Sequence, residues 1–154
     1  MKLLQLIGPD RIFTGLRAED AKSALRQVAE LIAPAAGIDA KTIHEALLER
    51  EKLGSTSIGD GFAIPHCKCQ GMDEIVVAVA RLEEPVGFGG PADEPVRCLF
   101  VVLSPPDQPA AHLQVLSQIA RVLKRREVRR RLLEAESAEQ ILEEIRKAAE
   151  AEGM

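Results

Sequence analysis

"IVVAVA", residues 75–80, contains no charged side chain and no break in its aliphatic character. An amphipathic helix would interrupt such a run with polar residues every few positions, whereas a strand covered on both faces has no need to. "LFVVL" at residues 99–103 has the same character, and both runs are rich in the aliphatic side chains that pack well on a pleated surface. We read both as interior strands. Between them "EEPVGFGGPADEP" (83–95) reads as a turn-rich connection with room for one short extended piece.

Outward from these runs the period changes to that of helices. Leu25, Val28, Ala29 and Ile32 recur at three and four residues, so a helix from Ala21 should stop near Pro34 and Gly37. Asp39 can cap the next, lined by Ile43, Ala46, Leu47 and Arg50 and ending before Gly54. On the other side, Leu113, Leu116, Ile119, Ala120 and Leu123 mark one apolar face, widened by Val115 and Val122. Shorter helices should follow over about 127–133 and 138–149, the latter with a capping box of Ser137 and Gln140. Helices at both ends with strands between predict an α/β sandwich, a central mixed β-sheet flanked by helices. The 154 residues fit one domain, 1–154, whose last residues, 150–154, should fray.

Composition narrows the function classes. No apolar run approaches the roughly 20 residues of a spanning helix, so membrane insertion is not expected. Three cysteines and no charged, apolar leader suit a reducing cytoplasm. A net charge of −4 disfavours nucleic acid as a partner. The basic run Lys124 to Arg131 is threaded by Val128 and followed by Leu132 and Leu133 at helical spacing, and neither Trp nor Tyr offers a stacking platform.

The chemistry concentrates in "GFAIPHCK", residues 61–68. Pro65 restrains the backbone before His66, and Gly59 and Gly61 permit tight or left-handed turns. Three readings of His66 stand side by side. A fixed neutral imidazole is a nucleophile able to accept and return a phosphoryl group. A histidine at the edge of the core could simply satisfy a loop carbonyl. A zinc site of His66, Cys67, Cys69 and Cys98 has the ligand types but not the paired spacing of structural zinc, and Cys67 with Cys69 lacks the spacing of a thioredoxin-like pair.

A phosphohistidine would need positive charge and donors around its oxygens. Arg50, at the end of a helix face, could supply a fork of donors, or could simply favour the helix dipole. Ser55, Thr56, Ser57 and the backbone amides from Gly54 to Gly61, with Gly59 and Gly61 shaping the turn, could form a polar phosphate loop. His112, in the first turn of the helix after "SPPDQPA" (104–110), could serve a phosphate or His66 as a neutral ring, or be structural. His44 receives no role.

"REKLGSTSIGDGFAIPH" (50–66) resembles the signature of the EIIA domain of the fructose/mannitol class of the bacterial phosphoenolpyruvate-dependent phosphotransferase system, and "DQPAAHLQVLSQIARVL" (107–123) resembles its second histidine segment. Within that class the chain is most similar to the freestanding nitrogen-regulatory member. The resemblance implies an EIIA-like fold and His66 as phosphoacceptor through Nε2. It further implies Arg50 and His112 as helpers at the phosphate, and Ser55 and Thr56 as members of a supporting loop. It implies an HPr-like phosphocarrier as donor and, as recipients of the signal, regulated target proteins or, in sugar-specific relatives, an EIIB cysteine. No cofactor or metal is expected, and no autonomous activity on small molecules. Two departures stand out: Ser57 occupies a position commonly glycine, and Cys67 one where glycine often follows the active histidine. Oxidation of Cys67 is a conceivable control on phosphorylation.

Overall fold

The computed structural model describes residues 2–89 and 93–154. Among these, the strands in chain order are β1 (Ile12–Leu16), β2 (Ser57–Gly59), β3 (Phe62–Ala63), β4 (His66–Lys68), β5 (Val76–Gly87) and β6 (Pro95–Ser104). They make one mixed sheet in the order β1-β5-β6-β3-β2, with β4 also on β6. The two aliphatic runs form its centre, β5 antiparallel to β6 with Val79 opposite Phe100. β3 and β4 join β6 in parallel, and β1 joins β5 in parallel.

Alternation across the sheet sorts the side chains into two layers. Cys98, Phe100 and Val102 pack with Val77 and Val79 against helices α4 (Pro109–Val122), α5 (Arg126–Glu134) and α6 (Ala138–Ala151). Leu99, Val101 and Leu103 pack with Ala78 and Ala80 against α2 (Ala21–Ala36) and α3 (Ala40–Leu53). Both faces are covered, which is why neither run alternates with polar residues. Each fully buried valine or leucine contributes about 1.5–3 kcal/mol by leaving water. A short α1 (Leu3–Leu6) docks Leu3 and Ile7 on the first layer.

The caps follow the sequence signals. Asp20 and Asp39 accept the amides of Ser23 and Thr42, each at 2.8 Å, and Ser137 accepts that of Gln140 at 3.1 Å. α2 carries Pro34 within its last turn and ends at Gly37, whose φ of 73° is left-handed.

Several expectations change. Strand β1 was not anticipated. The short extended piece allowed in the connection is the end of β5, which runs on through Glu83–Gly87: after a register shift beyond Arg81, Val86 pairs with Val96 while Glu83, Glu84 and Pro85 face solvent. Residues 90–92 of that connection lie outside the described residues. Ser57–Gly59, read as loop, is a strand antiparallel to β3, turned by Asp60 and Gly61 at φ 53° and 88°. Of the expected α4 face, Val115, Ile119, Val122 and Leu123 are buried and Leu116 packs partly buried against them; His112 joins that stripe where it meets the sheet, while Leu113 is 66% exposed. At the C-terminal end α6 runs to Ala151. There Glu152 meets Lys124 at 3.0 Å and Arg125 at 3.6 Å, and the Met154 amide donates to Ala149.

Acidic partners also meet two more of the basic run: Arg129 lies 3.5 Å from Asp60 and Arg130 3.4 Å from Glu134. Among the described residues no helix is long and apolar enough to cross a membrane.

Candidate functional site

Strand parity builds the site. β4 runs parallel to β6 with His66 opposite Val102 and Lys68 opposite Ser104, so these four residues share the face on which α4 lies. The intervening Cys67 points to the other layer. Two backbone bonds hold the strand there, from the Val102 amide to the Pro65 carbonyl and from the Cys69 amide to the Ser104 carbonyl, each at 2.9 Å. From the helix side His112, 6% exposed, brings its ring to 5.7 Å from that of His66, centroid to centroid, at 51°.

His66 is half-buried, and its Nδ1 lies 2.6 Å from the carbonyl oxygen of Ile64. A carbonyl can only accept, so Nδ1 carries the proton and the Nε2 lone pair is free. The ring is thereby presented with one nucleophilic nitrogen. His112 is held through Nδ1, 2.6 Å from the hydroxyl of the fully buried Ser104. Burial, followed by the neighbouring His66 and the charge of Lys68, pushes His112 below the ordinary imidazole range, so it is favoured as a neutral ring.

The loop residues divide. Thr56 is buried, and both its amide, at 3.2 Å, and its hydroxyl bond to the carboxylate of Glu51. Its carbonyl accepts the Ile64 amide at 3.0 Å. A continuous chain thus runs from Glu51 through Thr56 and Ile64 to His66. Ser55 Oγ accepts the Ser57 amide at 3.1 Å, while Ser57 Oγ is buried without a partner among the described residues. Gly59 and Gly61 flank Asp60 in the hairpin, and the Gly61 carbonyl accepts the amides of Arg97 and Cys98. Arg50, half-buried on α3, donates through Nη1 to the Gly54 carbonyl at 2.8 Å, and among the described residues its other guanidinium donors meet no further acceptor. His44 Nε2 lies 3.0 Å from the Lys22 carbonyl oxygen.

The metal set is divided by the fold. Cys98 packs in the layer with α4, whereas Cys67 and Cys69 lie in the layer with α2 and α3, their sulfurs 3.6 Å apart. Among the described residues, no group of three or more His, Cys, Asp or Glu is arranged to hold a metal ion. The Cys69 contact, followed by burial, pushes the Cys67 thiol well up, away from the thiolate form. Sequence reasoning missed Ser104, Lys68 and Glu51. Ser104 and Lys68 are placed by strand pairing between segments distant in sequence, and Glu51 by the turn after α3.

The chain as a whole is similar to known proteins. Over 140 residues it is 42% identical to a nitrogen regulatory protein of Pseudomonas aeruginosa, covering 90% of this chain and 91% of that one. A fructose-specific EIIA component of Haloferax volcanii is 39% identical over 106 residues, 69% of each chain. Among solved structures, the nitrogen regulatory protein IIA-Ntr of Neisseria meningitidis superposes with a TM-score of 0.87 at 30% identity, covering 93% of this chain and 98% of that one. The family profile described as phosphoenolpyruvate-dependent sugar phosphotransferase system, EIIA 2, matches residues 5–148, a span that holds both histidine segments and all six strands described above. The chain belongs to that family, as a phosphoryl-carrier domain of its fructose, mannitol and nitrogen-regulatory class, on the nitrogen-regulatory side.

Proposed function

We propose that the chain accepts a phosphoryl group on His66 Nε2 from an HPr-like phosphocarrier in the cytoplasm, and that it controls partner proteins according to whether it carries that group. The observation that carries this reading is the Nδ1 contact to the Ile64 carbonyl, which leaves the Nε2 lone pair of His66 free beside a second, neutral histidine. In the transfer, the Nε2 lone pair forms a new bond to phosphorus as the carrier's N–P bond breaks, and that electron pair returns to the carrier's ring nitrogen. His66 keeps its Nδ1 proton throughout. Phosphoryl transfer leaves the protein chiefly to position and to stabilise charge. His112 supplies a hydrogen bond at the phosphate, and Arg50 charge and donors. Ser55, Thr56, Ser57, Gly59 and Gly61 shape the loop, Thr56 through Glu51 and the Ile64 amide.

Likeness to proteins named nitrogen regulatory supports regulation as the output. The fructose-specific relative supports a second reading, in which the group passes to an EIIB cysteine for fructose- or mannitol-type uptake. Incubating the pure chain with phosphoenolpyruvate, the first enzyme and the phosphocarrier, and then weighing it, tests both. The expected product carries one phosphoryl group, labile in acid and stable in base, that is absent from H66A. No mass gain with cognate carriers defeats both readings. Rapid loss of the label to an added EIIB domain favours sugar transport, and retention favours regulation.

A further inference from the structure

We propose that the Ser104 hydroxyl sets the tautomer of His112, holding its proton on Nε2 and so making His112 a hydrogen-bond donor to the phosphoryl group on His66. The inference deepens the proposed function and rests on it. Ser104 closes β6, fully buried, and its side chain lies 2.6 Å from His112 Nδ1. Two arrangements satisfy that distance. In one, Nδ1–H donates to the hydroxyl oxygen; the hydroxyl proton must then find another acceptor, and among the described residues Ser104 Oγ has none besides His112. A buried donor without an acceptor disfavours that state by roughly tenfold or more. In the other, the hydroxyl donates to the Nδ1 lone pair, so its proton is satisfied and the ring proton sits on Nε2.

With Nδ1 engaged by Ser104, Nε2 is the nitrogen left to serve the adjacent His66 ring. A phosphoryl oxygen accepts hydrogen bonds and donates none while it is ionised, so only the Nε2–H tautomer can help it. The opposite tautomer would present a lone pair to the incoming anion. The two histidines therefore hold complementary forms. The Ile64 carbonyl keeps the His66 proton on Nδ1 and frees Nε2 for attack, while Ser104 keeps the His112 proton on Nε2 for donation. Ser104 acts through His112 and is a positioning residue.

The test compares Ser104→Thr with Ser104→Val, side chains of the same shape that differ only in the hydroxyl, so any cost of the added bulk is common to both. In the unphosphorylated proteins, nitrogen-15 correlation spectra of the histidine rings read which nitrogen of His112 is protonated and whether Nδ1 accepts a hydrogen bond. Wild type and S104T should show Nε2–H with Nδ1 hydrogen-bonded; S104V should lose the Nδ1 bond. Transfer from the phosphorylated carrier should be roughly three- to tenfold slower in S104V than in S104T. His112 protonated on Nδ1 in the wild type overturns the proposal, as do Thr and Val variants alike in ring spectra and in rate. A wild type that takes no phosphoryl group defeats the proposed function instead, while the ring spectra still decide whether Ser104 sets the tautomer.

Discussion

Replacing Glu51 with alanine should loosen the phosphoacceptor without touching it. The Glu51 carboxylate accepts both the amide and the hydroxyl of Thr56, a residue only 6% exposed. Removing it strands two buried donors. Hydrogen bonds to a charged group are each worth about 1.5–3 kcal/mol, and Glu51 is itself half-buried, so the lower end applies and the bonds are not additive. The expected loss is about 2–3 kcal/mol in all. For a domain of this size that lowers Tm by about 4–12 °C. Glu51→Gln keeps one acceptor and Thr56→Val removes one donor, so each should cost about half as much. Because the Thr56 carbonyl holds the Ile64 amide and the Ile64 carbonyl holds His66, E51A should also slow phosphoryl transfer by roughly tenfold through misplacement of the ring. The chain lacks Trp and Tyr, so urea unfolding is best followed by far-ultraviolet circular dichroism, with transfer measured on the same samples. An E51A protein with the wild-type urea midpoint would refute the clamp. Reduced stability with unchanged transfer would show that the clamp ends at Thr56.

His112 also predicts a pH dependence. Burial lowers its pKa in the folded chain, so the unfolded state binds the proton more readily, and stability falls as pH drops through the ordinary value of about 6.5. The slope from this one group cannot exceed about 1.4 kcal/mol per pH unit, and His112→Gln should flatten it in urea titrations between pH 7 and 5. Burial pushes the Cys98 thiol up to about 12, so iodoacetamide at pH 8 should leave it unmodified in the native chain and label it once unfolded. Arg81, buried beside the end of α5, donates to the Leu132 carbonyl at 2.9 Å; Arg81→Met should cost about 1–3 kcal/mol, read in the same unfolding assay.

Legibility in the sequence tracked how local each cause is. β5 and β6 were plain because burial on two faces removes every polar interruption from a continuous run. β1 was not: "IFTGL" is five residues long, only Ile12 is buried, and Gly15 sits at φ 72° where the register with β5 shifts. The face of α4 was legible through Val115, Ile119, Val122 and Leu123, all buried; spacing did not show that the stripe begins with His112 and leaves Leu113 to solvent. Near the end of the chain Glu152 meets Lys124 and Arg125, in the turn between α4 and α5, a pairing that composition alone cannot show.

The site follows the same rule, and its placement has a topological cause. β4 and β6 are parallel neighbours whose carboxyl ends share one edge of the sheet, and the chain leaving β6 at Ser104 starts α4 only five residues later, at Pro109. Ligand sites in open α/β sheets favour the carboxyl ends of strands because following helices begin there with free amides and a positive dipole end. Here that edge brings His66, from β4, under the first turn of α4, where His112 can reach it. His66 was legible because proline and glycines restrain its own segment. The tautomer of His112 was not, since it depends on whether the residue ending a neighbouring strand carries a hydroxyl and falls on the helix side by parity. In "VLSPP" Ser104 reads as the start of a turn. Only the pairing of Lys68 with Ser104 shows it to be the last member of a buried stripe, aimed at a histidine ring.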